Sequence, residues 1–327
     1  MPALTEQDKE FRRSHLCASE WAAALGESPW TPRMTLWGRK RGLLPPEPDK
    51  HVFRRGRDYE AIVLKWYRED HPPVAIIGPG PTREHLTEPW IAGTADALVD
   101  GGPLHLAWGL EAKTARSSRG WGEFGTDQVP RPYEIQCRLY MAIYGLDRWD
   151  IAVDLRDAEE PGYYTILRDL DKERELIEAG RPFWFENIVA GEAPEPTGAD
   201  GEGRAIAAEY PRDAGEMIAS TGEIEELATQ LRLAKGRAAI AGLDAARFEN
   251  SLKLSLGDAE GVEGSWGRIT WRRSKDRVVT EYPAAMQDFC GQDAVSVETI
   301  ALLTECLQRA RTSKPGSRRF LYKPKEG

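Results

Sequence analysis

The sequence predicts an α/β (α+β) fold, a small mixed β-sheet flanked by helices, and three observations carry that prediction. Residues 57–69 repeat apolar side chains at helical spacing: Tyr59, Ile62, Val63, Trp66 and Tyr67. Residues 90–99 and 104–114 read as two strands of a hairpin around the turn Asp100-Gly101-Gly102-Pro103. Residues 133–144 return to helical spacing, and two alternating segments follow at 148–155 and 162–167. Helix, strand, hairpin, helix, strand, strand, helix is the order of one layered domain.

Each remaining element has its own local signal. Residues 1–18 begin in a helix or loop. Ser19 is a good N-cap for residues 20–25, and Gly26 a good stop. Thr31-Pro32 starts a helix that runs to a Gly42 cap. Residues 74–77 read as a short strand, and 78–81 as a turn. Residues 115–129 are rich in Gly and Ser and predict a flexible loop beside the second hairpin strand. Residues 171–190 read as a helix. The Pro/Gly/acid-rich stretch 191–203 is a linker, so the domains are set at 1–192 and 193–327. The second is an extension: a helix over 209–243, strands at 249–256 and 264–273 around 257–261, a helix over 296–309 and a basic tail. No repeat is present.

Composition bounds the function. The chain has 327 residues, 41% hydrophobic and 30% charged, enough for a substantial core. No apolar run is long enough to span a membrane, and the N-terminus is not a signal peptide. Cys17, Cys137, Cys290 and Cys306 form no Cys-x-x-Cys pair, which argues against a zinc ribbon and fits a reducing cytoplasm. There is no P-loop, no His-Glu-x-x-His and no nucleophile elbow. The net charge of −9 hides an uneven distribution. Residues 33–57 hold eight Lys/Arg against two acids, and 307–325 hold seven Lys/Arg and no acid. Residues 154–226 hold twenty acids against seven bases. Two basic islands on an acidic body suit a protein that grips phosphate at defined places, or are simply solvated charge.

The chemistry centres on residues 93–113. In the second hairpin strand Leu104, Leu106, Trp108, Leu110 and Ala112 share one face, and Glu111 and Lys113 share the other. Asp96, on the neighbouring strand, reaches the same place. Two carboxylates side by side call for a cation between them, and hard oxygen donors suit Mg²⁺ or Mn²⁺. An Asp in a loop with a surface Glu/Lys pair is the plainer alternative. Glu60, in the helix over 57–69, either complements the helix dipole or lines an acidic site. Tyr133, Gln136 and Tyr140 share a helical face, as half-buried polar groups at a helix–sheet seam or as part of the site.

Five segments together extend this reading. They are Arg12 with LCASEWAAALGESPW, then RRGRDYEAIVLKWY, GTADALVD, GLEAK and YEIQCRLYMAIYG. In order and spacing, the first ~190 residues resemble the phage recombination exonucleases of the YqaJ and lambda-exonuclease type, within the PD-(D/E)xK nuclease superfamily. The chain departs from them in having Ala95-Asp96 where Pro-Asp is frequent. It also lacks the cysteine cluster of some superfamily members.

The resemblance implies a restriction-endonuclease-like mixed sheet flanked by helices, with a helical and β-hairpin C-terminal extension. It implies that Asp96 and Glu111 ligate Mg²⁺ or Mn²⁺, with the Ala112 carbonyl and Glu60 as further ligands. Lys113 would act on the attacking water or the scissile phosphate. Gln136 and Tyr133 would hold that lysine and the phosphate, and Tyr140 would complete a Gln-x-x-x-Tyr pattern. Arg12, Ser19 and Thr94 would form a pocket for a 5′-phosphate. The implied activity is metal-dependent 5′→3′ degradation of linear double-stranded DNA, making 3′ tails for recombination and DNA repair. A restriction-like endonuclease and a catalytically silent DNA-binding module are the alternatives. Double-stranded DNA ends, a single-strand annealing protein and a ring trimer are the implied partners. The implied setting is the cytoplasm of a bacterial host, for a phage- or prophage-encoded protein.

Overall fold

A computed structural model describes residues 5–72, 74–101, 107–213, 215–273, 277–280, 297–309, 311–314 and 318–324. The chain divides into two units, Met1–Glu216 and Met217–Gly327.

The first unit opens with α1 (Glu6–Ser14), capped by the Thr5 hydroxyl, which accepts from the Asp8 N–H at 3.1 Å. Next come β1 (Leu16–Cys17), a 3-10 turn (Ala18–Glu20), α2 (Trp21–Ala24), α3 (Arg33–Lys40) and α4 (His51–Asp70). α4 starts earlier than residue 57 and carries Gly56 within it. Then follow β2 (Ala75–Ile77), β3 (Arg83–Glu84), β4 (Ile91–Gly93), β5 (Ala97–Asp100), β6 (Trp108–Ala115), α5 (Arg131–Tyr144), β7 (Arg148–Leu155) and β8 (Gly162–Leu167). α6 (Leu170–Pro182) passes into a π-helical stretch, Phe183–Val189, where Pro182 interrupts the regular α pattern. α7 (Glu202–Glu209) ends the unit's regular structure.

The main sheet has the order β2-β5-β6-β7-β8. Only β6 and β7 run parallel, joined by the crossover helix α5. Helices cover both faces. Val63 and Tyr67 of α4 lie in a core with Ala97, Val99, Trp108 and Leu110. Fully burying a Val or Leu side chain such as Val63, Val99 or Leu110 stabilises the fold by about 1.5–3 kcal/mol. Ile135 and Leu139 of α5 share the opposite core with Trp149, Ile151 and Val153. Tyr67 also donates its hydroxyl to the buried carboxylate of Asp150, which accepts from Arg148 and Thr165 as well. That acid is fully satisfied by hydrogen bonds within the fold.

Several expectations change. The single strand expected over 90–99 is two strands. β4 pairs with β1 and β3 in a separate small sheet, and β5 belongs to the main one. The break falls at Thr94–Ala95–Asp96. In the second hairpin strand, Trp108 to Lys113 alternate as expected. Gly102 and Pro103 of the turn, with Leu104 and Leu106, lie outside the described residues. The stretch after β6 has no regular element, yet it is pinned rather than loose. Ser118 N–H donates to Asp157 at 2.9 Å, Gly125 N–H to Tyr163 O at 2.8 Å, and Trp121 lies 5.4 Å from the Tyr133 ring.

The division between units falls later than residue 192, because α7 packs on α3 and buries Ala205. In the second unit, α8 (Gly222–Leu256) begins at a Thr221 cap and absorbs the strand expected at 249–256. The Glu249–Lys253 ion pair, 2.5 Å and one turn apart, is a helical contact. After it come β9 (Gly261–Gly264), β10 (Gly267–Arg273), β11 (Arg277–Thr280), α9 (Val297–Arg309), β12 (Arg311–Lys314) and β13 (Arg318–Pro324). The hairpin joins β9 to β10, and the basic tail supplies β12 and β13. Among the described residues no helix is long and apolar enough to cross a membrane.

Candidate functional site

The break before β5 places the first acid. Ala95 N–H donates to the Tyr144 hydroxyl at 2.9 Å, and that hydroxyl donates to Pro81 O at 2.5 Å. The chain is thereby anchored one residue ahead of Asp96. β5 and β6 pair Leu98 with Gly109 and Ala97 with Leu110. One further step of that register sets Asp96 opposite Glu111, on the face toward α5. Asp96 Oδ2 accepts from the Ala112 N–H at 2.9 Å. Ala112, expected to offer its carbonyl, thus meets the site through its N–H.

Glu111 is 2% exposed. Its Oε1 accepts from Lys113 Nζ at 2.5 Å and from Gln136 Nε2 at 2.7 Å. Its Oε2 is buried with no hydrogen-bond partner. Burial, and then the charge of Glu111, push the Asp96 carboxyl up to about 7. Burial opposes the Lys113 charge, but the Glu111 and Asp96 carboxylates outweigh it and hold the ammonium above its usual value. Burial, then Glu111, raises the Tyr140 hydroxyl. Tyr140 accepts from Gln136 Nε2 at 3.0 Å and stacks on Trp149 at 4.9 Å. The Tyr133 ring lies 5.2 Å from Lys113 Nζ.

Glu60 comes from the other layer. Burial and the Asp96 charge raise its carboxyl, so it stands within electrostatic reach of Asp96. It does not complete a cage: among the described residues no three His, Cys, Asp or Glu side chains stand together as metal ligands. The reason is that α4 packs on the far face of β6, through Val63 and Tyr67. The Asp96–Glu111 pair still fits a divalent cation. It offers an unpartnered buried oxygen beside a carboxyl whose ionisation is opposed by its neighbour. Mg²⁺ is commonly held by one or two carboxylates plus water and phosphate oxygens.

A second cluster adjoins the first. Arg12 donates to Ser19 Oγ at 3.3 Å and pairs with Glu20 Oε1 at 3.3 Å. Ser19 is not an N-cap. It lies inside the 3-10 turn, and Glu20 Oε2 takes the capping role by accepting from the Cys17 N–H at 3.1 Å. β1 and β4 run parallel with Cys17 beside Ala92, so Ser19 and Thr94 leave the same end of that pair. Thr94 shares a 2.7 Å hydroxyl contact with Thr82. The Glu20 charge holds Arg12 cationic, with a smaller contribution from Tyr140, which places the guanidinium near the acid pair's own supporting residues.

Three residues escaped sequence reasoning. Lys40 and Glu20 form a 2.6 Å ion pair, with side chains 3% and 17% exposed. Lys40 also donates to the backbone oxygens of Arg12 and His15. Nothing in a Gly-Arg-Lys-Arg run announces one buried member. Tyr144 was findable, since it follows Tyr140 by one helical turn.

A mixed sheet between two helical layers, with one acid just ahead of β5 and a second acid and a lysine on β6, is the arrangement expected of a restriction-endonuclease-like fold. Residues 9–147, which hold Arg12, Ser19, Glu60, Asp96, Glu111, Lys113, Tyr133, Gln136 and Tyr140, match the YqaJ-like viral recombinase domain, as the five segments implied. No curated protein matches the sequence. Among solved structures, an alkaline exonuclease (LHK-Exo) from Laribacter hongkongensis is similar at TM-score 0.46 and 18% identity, over 57% of this chain and 94% of that one. LHK-Exo in complex with dAMP is similar at TM-score 0.47 and 18% identity, over 57% and 94%. A phage-related exonuclease from Haemophilus somnus 129PT is similar at TM-score 0.39 and 14% identity, over 56% and 99%.

Proposed function

We propose that this protein is a divalent-metal-dependent deoxyribonuclease that degrades linear double-stranded DNA from its 5′ ends, leaving 3′ tails for recombination. The observation that carries the reading is the buried Asp96–Glu111 pair beside Lys113, inside a YqaJ-like domain. Asp-(x)n-Glu-x-Lys on adjoining strands is the PD-(D/E)xK pattern.

Asp96 and Glu111 would hold Mg²⁺ or Mn²⁺. The bound ion supplies an acidified water and neutralises charge on the phosphoryl oxygens. The protein's own groups do the rest. Lys113 keeps its proton between the carboxylates and the substrate, so it acts as a fixed positive charge toward the phosphate. Gln136 holds the Glu111 carboxylate in one orientation, and Tyr140 holds Gln136. Tyr133 flanks the lysine. Glu60, whose carboxyl is raised by burial and by the Asp96 charge, would add a further acidic group near the pair. Arg12 and Ser19, with Thr94 beside them, receive the terminal 5′-phosphate through charge-assisted hydrogen bonds.

The test is the purified full chain with Mg²⁺ on end-labelled linear duplex, with closed circular DNA alongside. The expected result is loss of linear DNA from the 5′ end, faster with a 5′-phosphate than a 5′-hydroxyl, and no attack on the circle. Glu111→Ala should abolish it. Cleavage of the circle would favour an endonuclease. Linear DNA left intact, with Glu111→Ala indistinguishable from wild type, overturns the reading.

A further inference from the structure

One group near the site has no role in the chemistry above. Trp30 is 64% exposed, large and apolar. A lone exposed tryptophan is unremarkable in itself; its setting is not. One face of the indole stacks on Tyr133, with centroids 5.7 Å apart and planes 29° apart. The Tyr133 ring stands 5.2 Å from Lys113 Nζ and 5.4 Å from the Trp121 ring. Trp121 is backed in turn by Tyr164 at 5.1 Å. Trp30 and Trp121 thus both pack on the ring beside the lysine, and Trp30 leaves most of its surface to solvent.

The segment presenting Trp30 is also fixed. Ser28 Oγ accepts from the N–H groups of both Trp30 and Thr31 at 3.2 Å. Pro29 and Pro32 restrict the backbone on either side. A ring held in place and left open on one face loses little conformational freedom when a flat partner stacks on it.

We infer that Trp30, backed by Tyr133 and Trp121, is a stacking platform for an unpaired nucleobase of the DNA strand whose phosphate lies at Lys113. The assignment rests on the nuclease reading above. Every base has a π-face, so such a platform grips a strand end without reading its sequence. Lys113, beside Tyr133, would meet the phosphate and the exposed Trp30 ring would meet the base, which is the spatial order within one nucleotide. This assigns Trp30 to binding and positioning rather than to catalysis.

Fluorescence anisotropy of the full chain in EDTA, where no cleavage occurs, tests this with duplexes carrying a short single-stranded overhang. One set keeps its overhang bases and the other has abasic sites in the overhang, and each is made with both polarities. Wild type should bind the base-containing overhang roughly tenfold more tightly than the abasic one, for at least one polarity. Trp30→Ala should erase that ratio with an unchanged melting temperature, and Trp30→Phe should keep most of it. A ratio that is the same in wild type and Trp30→Ala overturns the platform, while nuclease activity on linear duplex would leave the functional reading standing. Wild type that binds neither DNA overturns both.

Discussion

Gln136 and Glu111 are joined across the seam between α5 and β6, the amide Nε2 donating to Oε1 at 2.7 Å. The same oxygen also takes Lys113 at 2.5 Å, so one carboxylate oxygen is fully engaged and the other, Oε2, is left for a ligand. The amide therefore decides which oxygen is available. Groups that orient a metal-binding carboxylate typically matter 10–100-fold, so Gln136→Ala should raise the Mg²⁺ needed for half-maximal DNA cleavage by about that factor. A Mg²⁺ titration of activity, with melting temperature as a control, checks it. An unchanged half-saturation would show that packing alone orients Glu111.

Asp96 predicts how metal and pH interact. Its folded carboxyl is raised to about 7 from an ordinary 3.8, by burial and then by Glu111. A raised folded value means that the proton is bound more tightly in the native state. The stability tied to that proton is complete below the ordinary value and is lost as pH climbs through about 7. A divalent ion held by the deprotonated pair, as proposed above, would reverse the loss. The rise in melting temperature caused by Mg²⁺ should therefore be larger near about pH 8 than near about pH 6, and Asp96→Asn should flatten that difference. Thermal melts with Mg²⁺ or EDTA across this range decide it.

Lys40 and Glu20 support Arg12 from below. Glu20 pairs with Lys40 at 2.6 Å and with Arg12 at 3.3 Å. Burial raises the Glu20 carboxyl, but Lys40 and Arg12 outweigh that and hold it below its usual value. The stability it contributes is thus present above the usual glutamate range and lost as pH falls. Removing one partner of a buried pair strands the other, at about 3–5 kcal/mol. Lys40→Met should lower urea stability by that order and weaken any preference for a 5′-phosphate. Chemical denaturation and matched 5′-phosphate and 5′-hydroxyl substrates measure the two effects separately.

What could be read from the residues divides along physical lines. α3, α5, β7 and β8 carry clean periodicity between Pro and Gly punctuation, and the structure follows it. The acid pair with Lys113 was legible because strand alternation alone puts Glu111 and Lys113 on one face. The break at Asp96 was hidden, since Ile91 through Val99 reads as one apolar run and only the pairing of β4 with β1 divides it. The end of α8 misled through Leu252, Leu254 and Leu256, whose alternation mimics a strand inside a helix. Buried Lys40 and stacked Trp30 were invisible because burial of a charge and exposure of an indole depend on partners far away in sequence.

Gly109 is the position where backbone shape and site meet most tightly. A Cβ there would stand 2.2 Å from Trp149 Cε3, far inside contact distance. The residue pairs with Leu98 of β5 on one side and with Trp149 of β7 on the other, so the strand has no room to withdraw. The Trp149 ring carries Tyr140 at 4.9 Å, Tyr140 accepts from Gln136 at 3.0 Å, and Gln136 holds Glu111. Overpacking a close-packed interior costs about 1–3 kcal/mol, and more where the backbone cannot shift. Gly109→Ala should therefore destabilise the protein by at least that order and reduce cleavage as well, by tilting the stack that orients Gln136. Pairing it with Trp149→Leu, which opens space, should cost less than the two single changes added together, because contacting residues couple. Urea denaturation of the two single variants and the double variant measures the coupling; strict additivity would mean that the ring and the strand do not press on each other.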